Sequence, residues 1–364
     1  MNKVLVKSIK QNYPVFVGSN TLPILPELIS EYDLPKRIFV ILDKKIDQYF
    51  GNQIKRTINA VAEKIHYSVV TASEKNKSLD AAVKIYSALY KQQFGRDTLI
   101  ISIGGGTIGD LGGFIASTYM RGVPFVHIPT TLLSMVDSSI GSKTGVNFRE
   151  AKNLIGSFKS PSFVLIDTGF LKTLPQKEII SGFGEVIKYS YLTDKKLYNK
   201  LLFNFHLLKK LNSKFIDEII LRCVKIKSAV VSKDEFEKSG LRKILNFGHT
   251  FAHAYESVSN YKISHGKAVI IGIINALHLS NELGLINQKR LDHLIELPMK
   301  FKAELKSTKF DEEGIFRLMR YDKKNKEGQN RFVLIKDFGE ILVDVQADKK
   351  SVLKALNKTS KILV

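Results

Sequence analysis

Short apolar, β-branched runs alternate with helix-like segments along the first half of the chain. Strand-forming residues separated in this way by helical patterns are typical of a parallel sheet with helices packed on its faces. The predicted strands cover residues 13–17, 37–42, 67–70, 98–103, 124–128 and 163–166.

The pattern changes near residue 173. Residues 173–176, TLPQ, match a capping box with proline in the first turn, so a helix is expected to begin there. From this point to about residue 320 the periodicity is helical, and only residues 331–335 and 340–345 predict a late β pair. We therefore predict an α/β domain over 1–173 and a mainly α-helical domain over 174–364, with the active cleft between them.

Composition narrows the class of protein. A chain of 364 residues with 44% hydrophobic content can bury a large core, and its length favours two domains. The longest apolar stretch, 268–279, falls short of the ~20 residues that cross a bilayer, and the N-terminus lacks the apolar core of a signal peptide. Cys223 is the single cysteine, which excludes an internal disulfide and fits a reducing compartment. We expect a cytoplasmic protein that does not bind membranes.

The formal charge of +21, from 56 Lys and Arg against 35 Asp and Glu, raises the hypothesis of nucleic-acid binding. The lysines are scattered along the chain between apolar helix positions, as on an ordinary solvated face, and no nucleic-acid-binding motif accompanies them. We therefore expect no nucleic-acid partner. A positive field also attracts small anionic substrates.

A glycine-rich turn follows the predicted strand at 98–103. Gly104, Gly106 and Gly109 match the pattern G-x-G-x-x-G. Glycine lets backbone N–H groups approach a phosphate at a helix N-terminus, where the helix dipole favours negative charge. An isolated match is equally typical of a tight turn between a strand and a helix that binds nothing.

Polar residues also follow other predicted strands. Asp43 comes after the second run, Glu74 and Lys77 after the third, and Thr130 and Thr131 after the fifth. Ligands of parallel sheets bind beyond the carboxyl ends of the strands, so we expect these side chains to line a ligand site.

Arg242, Asn246, His249 and His253 are separated by four, three and four residues. A continuous helix would place all four on one face, and burying them without a role would be costly, so we expect them to line a cavity. His265 follows, and neutral imidazole is a favoured zinc ligand. Spacing alone favours His249 and His253 as an i, i+4 ligand pair, although a satisfied core histidine is the alternative for each.

Glu185 is the candidate carboxylate ligand, because catalytic zinc sites combine three protein ligands with an open position. Gly182 and Gly184 permit a close backbone approach, and Lys188 shares a helix face with Glu185. The alternative is a surface ion pair. Residues 136–156 place lysines and asparagines between glycines, which suits a substrate phosphate or polyol, or else a mobile solvated loop.

Taken together, these segments resemble the 3-dehydroquinate synthase family. The resemblance rests, in chain order, on GGGTIGDLGGFIASTYMRG, IPTTLLSMVDSSIGSKTGVN, AKNLIGSF, FLKTLP, GFGEVIKY, LRKILNFGHTFAHAYE and SHGKAV, over about residues 98–272. It implies a dehydroquinate synthase-like fold, with an NAD-binding α/β domain followed by a mainly α-helical domain for metal and substrate.

The implied activity is that of a phosphate-eliminating lyase of the shikimate pathway, which serves aromatic amino acid biosynthesis. Such an enzyme converts 3-deoxy-D-arabino-heptulosonate 7-phosphate into 3-dehydroquinate and phosphate. The steps are NAD-dependent oxidation, phosphate elimination, reduction and an internal aldol cyclisation.

The resemblance also implies roles for individual residues. Zinc or cobalt would be bound by Glu185, His249 and His265, which makes His253 a residue for substrate or proton handling. The implied NAD contacts are Asp43, Glu74, Lys77, Gly106, Thr107, Ile108, Gly109, Asp110, Thr130, Thr131, Lys143, Lys152, Phe170, Leu171, Lys172 and Thr173. The implied catalytic and substrate residues are Asp137, Lys143, Asn153, Lys188, Lys227, Arg242, Asn246, His253 and one of Lys323 or Lys324. Arg121 resembles an arginine that reaches the neighbouring subunit's site, which implies a homodimer.

Two departures from the family pattern and one from the dinucleotide-binding fingerprint stand out. The motif that usually reads Gly-Gly-Lys has Ser142 before Lys143, and the segment before Arg242 is one residue longer, which leaves the role of Glu237 open. The acid expected ~20 residues after a dinucleotide-binding glycine turn is absent, and Asp43 takes its place.

A sister sugar phosphate cyclase or a metal- and NAD-dependent polyol dehydrogenase is the alternative function. Arg242 and Asn246 favour an acid substrate instead.

Overall fold

The structure is a computed structural model that describes residues 1–9, 11–149, 151–193, 195–306, 311–319 and 330–363. The chain divides into two compact units. The first unit comprises Met1–Pro175 and Ser213–Glu235, and the second comprises Gln176–Asn212 and Phe236–Val364. The domain boundary at 173/174 stays a prediction. The contacts within the chain group residues 213–235, assigned from the sequence to the second domain, with the first unit.

The first unit is built on a seven-stranded sheet in the order β1-β2-β9-β6-β5-β3-β4. Only the β1–β2 pair is antiparallel, so the predicted parallel sheet is confirmed. A separate antiparallel hairpin, β7–β8, completes the unit's strands. The strands are β1 (Asn2–Val6), β2 (Tyr13–Gly18), β3 (Arg37–Asp43), β4 (Lys64–Val70), β5 (Thr98–Gly104), β6 (Phe125–Pro129), β7 (Lys143–Phe148), β8 (Ala151–Phe158) and β9 (Phe163–Asp167).

Helices pack against this sheet. Asp43 and Ser78 cap two of them, each accepting a hydrogen bond from a backbone N–H of the first turn. Strand β5 is buried along its whole length, as expected of a central strand covered on both faces. The helices of the first unit are α1 (Leu25–Glu31), α2 (Lys44–Asn59), α3 (Leu79–Lys91), α4 (Gly106–Thr118) and α8 (Ser213–Lys233).

The hairpin β7–β8 is not among the predicted strands, and its segment was instead predicted to suit a substrate phosphate or polyol, with a mobile loop as the alternative. Gly145 and Gly156 are paired across the hairpin. A Cβ on Gly156 would lie 2.3 Å from Thr144 O, and one on Gly145 would lie 2.8 Å from Ile155 O. The glycines therefore allow the two backbones to approach closely, and here they mark a strand pair.

The second unit is mainly helical, as predicted. Helix α10 is buried at almost every position from Gly266 to Ser280 and packs against α5, α9, α11, α14 and β10. The late β pair is confirmed as the antiparallel strands β10 (Arg331–Asp337) and β11 (Glu340–Gln346). No helix among the described residues is long and apolar enough to cross a membrane. The helices are α5 (Gln176–Tyr191), α6 (Lys195–Phe203), α7 (Phe205–Lys209), α9 (His249–Val258), α10 (His265–Glu282), α11 (Gln288–Met299), α12 (Lys302–Leu305), α13 (Glu312–Met319) and α14 (Lys349–Leu363).

Two local predictions are wrong. The continuous helix through Arg242 and His253 is interrupted, because a short 3-10 helix (Leu241–Asn246) ends before the left-handed Gly248, with φ of 80°, and α9 begins at His249. The TLPQ capping box predicts that a helix begins after Thr173, but α5 begins at Gln176, the last residue of the box. Thr173 ends a preceding 3-10 helix, and its hydroxyl donates to Phe170 O at 3.4 Å.

Candidate active site

Three predicted metal ligands meet in the second unit. Glu185 comes from the middle of α5, His249 from the start of α9 and His265 from the start of α10. Glu185 Oε1 lies 3.5 Å from Nε2 of each histidine, and one donor atom from each residue falls within 4.8 Å of the other two. The structure therefore brings one carboxylate and two imidazoles together, while His253 is not in this group.

Three glycine contacts explain this convergence. A Cβ on Gly266 would lie 1.7 Å from Ser181 O, and one on Gly184 would lie 2.3 Å from Gly266 O, so α5 and the start of α10 touch through their backbones. A Cβ on Gly272 would lie 2.1 Å from Gly248 O, so the start of α9 touches α10 in the same way. The three ligands meet because these helices approach more closely than side chains allow.

Each histidine is also oriented from its other ring nitrogen. His265 Nδ1 lies 3.5 Å from Glu256 Oε1, and His249 Nδ1 lies 3.3 Å from the carbonyl of Phe247. A carboxylate or carbonyl behind the imidazole, with the opposite nitrogen directed at the cation, is the arrangement that metal-binding histidines use. Glu256 was not predicted. Its position three residues after His253 was the available indication.

The electrostatics of the cluster suit a cation. Burial raises the pKa of Glu185, but the ammonium of Lys188 and the two imidazoles outweigh it and hold the pKa well below its usual range. Burial lowers the pKa of His249 to about 4. Burial also acts to lower the pKa of His265, but Glu185 and Glu256 raise it to about 10. The carboxylate is ionised and 1% exposed, and among the described residues its Oε1 has no hydrogen-bond partner.

That orphaned oxygen tests whether the residues fit a metal. Burying a carboxylate oxygen that has no hydrogen-bond partner is costly. A divalent ion beside it would be coordinated by this oxygen and by the two imidazole nitrogens. One oxygen and two nitrogens are also a donor set that zinc prefers. The residues therefore fit a bound divalent metal.

Four predicted substrate residues lie close to these ligands in the sequence. Lys188, 2% exposed, forms an ion pair with Glu185 Oε2. Arg242 is buried, and its Nε lies 3.5 Å from Glu237 Oε1. Glu237 therefore has an ion-pair partner, although the segment before Arg242 is one residue longer than in the family pattern. The rings of His253 and His249 are 5.7 Å apart. Asn246 is half-buried at the end of the 3-10 helix.

In the first unit the predicted cofactor residues other than Lys143 and Lys152 share one edge of the sheet. Since parallel strands end together, the residues that follow them meet at the carboxyl edge. Asp43 ends β3, Glu74 and Lys77 follow β4, Gly106, Thr107, Ile108, Gly109 and Asp110 follow β5, Thr130 and Thr131 follow β6, and Phe170, Leu171, Lys172 and Thr173 follow β9.

Lys77 joins this edge to the hairpin β7–β8. Its buried ammonium contacts both Asp110 Oδ2 and Asn153 Oδ1. Burial raises the pKa of Asp110, and the Lys77 ammonium works against this rise. Asn147 belongs to the segment 136–156 that was predicted to suit a substrate phosphate or polyol, but it had no individual role. Its Nδ2 donates to Glu74 Oε2 at 2.9 Å, and its Oδ1 accepts from the Asn153 N–H at 2.9 Å.

The remaining predicted residues occupy separate places. Lys227 Nζ, on α8, donates to both Asp137 Oδ1 and Asp137 O at 2.7 Å. Lys143 begins β7 and Lys152 lies on β8, both exposed. Arg121 is exposed with a left-handed φ of 66°. Lys323 and Lys324 lie outside the described residues.

Family models match most of the chain. The 3-dehydroquinate synthase N-terminal model matches residues 67–181, and the 3-dehydroquinate synthase C-terminal model matches residues 182–325. The chain is 41% identical over 326 residues to the 3-dehydroquinate synthase of Alkaliphilus oremlandii, covering 89% of each chain. It is 40% identical over 366 residues to that of Pelagibacter ubique, covering 98% of each.

Solved structures share the fold. A 2-deoxy-scyllo-inosose synthase complexed with carbaglucose-6-phosphate, NAD+ and Co2+ matches with a TM-score of 0.87 at 23% identity, over 98% of this chain and 99% of that one. A 2-epi-5-epi-valiolone synthase from Streptomyces hygroscopicus subsp. jinggangensis, with NAD+ and Zn2+ bound, matches with a TM-score of 0.86 at 26% identity and the same coverage. With both family models matched and identities of 40% over nearly the full length, the chain belongs to the 3-dehydroquinate synthase family.

Proposed function

We propose that this chain converts 3-deoxy-D-arabino-heptulosonate 7-phosphate into 3-dehydroquinate and phosphate, with one divalent ion held by Glu185, His249 and His265. The observation that carries the proposal is the buried carboxylate whose Oε1 faces two imidazole nitrogens at 3.5 Å and has no other partner among the described residues. The identities of 34–41% to curated 3-dehydroquinate synthases support the same substrate.

Zinc or cobalt would act as a Lewis acid on the substrate's hydroxyl oxygens, and NAD would accept and return the hydride of the oxidised carbon. Glu185 supplies the negative charge of the metal site. Glu256 and the Phe247 carbonyl hold the two imidazoles in the orientation that turns Nε2 toward it. These contacts limit the rotation of the two imidazoles before an ion binds.

The first unit would hold NAD along the carboxyl edge of its sheet. The N-terminus of α4, beginning at Gly106, offers backbone N–H groups and a positive dipole end to the pyrophosphate. Asp43 ends the neighbouring strand, and its carboxylate would accept hydrogen bonds from ribose hydroxyls. Thr130 and Thr131 follow the next strand along the same edge.

Cationic side chains would bind the two acidic groups of the substrate. Lys143, Lys188, Lys227 and Arg242 supply donors for the phosphate and carboxylate, while Asn153 and Asn246 offer amides to hydroxyls. Asp137, which forms an ion pair with Lys227, and His253 would handle protons of the substrate. The departing phosphate takes up a proton in the elimination, so positioning and charge stabilisation are the main demands on the protein.

We also propose a cytoplasmic homodimer, with Arg121 reaching the partner's site. The support is the family pattern around Arg121 together with its exposure and left-handed backbone. A lone cysteine, Cys223, is consistent with a reducing compartment.

A phosphate-release assay tests the activity. With NAD and zinc, the purified chain should release phosphate from 3-deoxy-D-arabino-heptulosonate 7-phosphate, a chelator should abolish the release, and zinc or cobalt should restore it. Glu185→Gln removes the anionic ligand and should lower kcat by about 1000-fold, with loss of bound zinc. The control His206→Gln changes an exposed histidine of α7 and should keep wild-type activity.

Release from sedoheptulose 7-phosphate alone would assign the chain to a sister cyclase. Release that survives chelation would contradict the metal site. A chain that oxidises simple polyols with NAD and releases phosphate from neither sugar phosphate would be a polyol dehydrogenase.

A further inference from the structure

Ser142 occupies a strained joint in the first unit. It lies between the π-helical segment Ser134–Ser138, which carries Asp137, and strand β7, which begins at Lys143. Its φ is 60°, in the left-handed region where a Cβ crowds the backbone and glycine is favoured. This chain therefore places a serine where the backbone favours a residue without a side chain.

A chain of hydroxyl groups holds the Ser142 side chain. Ser142 Oγ lies 3.0 Å from Ser160 Oγ, and Ser160 Oγ lies 3.3 Å from Ser8 Oγ. Ser8 Oγ donates to Glu235 Oε1 at 2.7 Å, and the Ile9 N–H donates to Glu235 Oε2 at 2.6 Å. Both ends of this chain are buried, with Ser142 at 8% and Glu235 at 4% exposure.

The carboxylate fixes the direction of every hydrogen bond in the chain. An ionised Glu235 only accepts hydrogen bonds, so the Ser8 hydroxyl donates its single proton to Glu235 and accepts a hydrogen bond from Ser160. Ser160 then has no proton left for Ser142, so Ser142 donates to Ser160. The Ser142 hydroxyl is therefore oriented by a buried carboxylate three hydrogen bonds away. Hydrogen bonds that end on a charge are the stronger kind.

The backbone on both sides of Ser142 is anchored as well. The Gly141 N–H donates to the hydroxyl of the buried Tyr13 at 3.0 Å, and the Lys159 N–H donates to Ser142 O at 2.8 Å. With its neighbours fixed, a change of conformation at Ser142 would be passed on to Lys143, the next residue.

We propose that Ser142 is a positioning residue for Lys143. The hydroxyl chain to Glu235 stabilises the left-handed backbone that glycine would adopt unaided, and this backbone sets the direction in which the Lys143 side chain leaves the joint. The inference rests on the proposed function, in which Lys143 contacts the substrate.

The decisive variants separate the Cβ from the hydroxyl. Ser142→Ala keeps the Cβ but loses the hydroxyl, and should raise the KM for the heptulosonate phosphate about five- to tenfold with a smaller change in kcat. Ser142→Gly removes both and should stay within about twofold of wild type, because glycine adopts the left-handed backbone freely. Ser160→Ala should resemble Ser142→Ala, and Ser160→Thr, which keeps a hydroxyl, should restore the wild-type KM.

Two double variants distinguish positioning from a general structural role. In the Ser142→Gly background, Ser160→Ala should cost nothing further, since there is no strained serine to hold. In the Lys143→Met background, Ser142→Ala should leave the KM unchanged, since the lysine it positions is gone. Ser87→Ala, which removes an exposed helix hydroxyl of the same unit, is the control and should match wild type.

Thermal unfolding gives a readout that does not depend on activity. Ser142→Ala should lower Tm by about 2–4 °C and Ser142→Gly should not. Equal KM and Tm for these two variants, or an undiminished effect of Ser160→Ala in the Ser142→Gly background, would overturn the inference. A wild-type protein that releases no phosphate would instead contradict the proposed function, and the Tm comparison would still test the joint.

Discussion

The two units assemble their predicted sites in different ways. In the first unit, residues such as Asp43, Asp110 and Thr130 each follow a different strand, and the parallel sheet collects them at its carboxyl edge. In the second unit, Glu185, His249 and His265 come from three helices that meet through glycine backbones. The first arrangement depends on topology, and the second depends on contacts at single positions.

This difference predicts different responses to mutation. A site spread over many strand ends loses one contact when one residue changes, so its losses should be graded. A three-ligand metal site loses its ion when one helix is displaced, because the remaining two ligands no longer close the coordination shell. The variants below are ordered from the largest expected effect to the smallest.

Gly266→Ala should abolish metal binding in the second unit. Its Cβ would lie 1.7 Å from Ser181 O, which is backbone, so α5 and α10 would have to separate. We expect the unfolding free energy to fall by about 2–4 kcal/mol and bound zinc to be lost, measured by thermal unfolding and by metal analysis. Gly314→Ala is the matched control, because there the new Cβ meets only the exposed side chain of Asp311. Full zinc occupancy in Gly266→Ala would show that the close helix contact is not required.

Glu256→Gln should weaken the metal site without destroying it. The carboxylate behind His265 Nδ1 is replaced by a neutral amide, so the imidazole loses a charged partner but keeps its place. Zinc affinity should fall about 10- to 100-fold in competition with a chelator. Because Glu256 also raises the pKa of His265, the variant should reduce that rise, so the pKa of the metal-free histidine should fall, as followed by NMR. An unchanged affinity would remove Glu256 from the site.

Lys77→Met should give the graded loss expected of the first unit. The variant removes the ammonium between Asp110 and Asn153, so the KM for NAD should rise about tenfold while bound zinc stays unchanged. Without Lys77, the raised pKa of Asp110 rises further, so the loss should grow as the pH falls. Lys75→Met, an exposed lysine of the same 3-10 turn, should match wild type. Loss of zinc in Lys77→Met would break the distinction between the units.

The parts of the fold that depend on local sequence patterns could be predicted. The parts that depend on contacts between separate segments could not. Apolar runs located the parallel strands, and their polar ends located Asp43 and Thr130. Spacing alone paired His249 with His253, which do share helix α9. It could not reveal that close backbone contacts at Gly272 and Gly266 bring the start of α10, with His265, against α9 and α5. The ligand set came from resemblance to the family. Glu256 was missed because it contacts His265 across the turn between α9 and α10, which helical spacing does not reveal.

The most direct test of the account is a crystal structure grown with zinc and measured at its absorption edge. We predict one anomalous peak at about 2.0–2.2 Å from a carboxylate oxygen of Glu185 and from Nε2 of both His249 and His265. A peak on His253 in place of His265, or the absence of a peak beside Glu185 in zinc-saturated, active crystals, would contradict it.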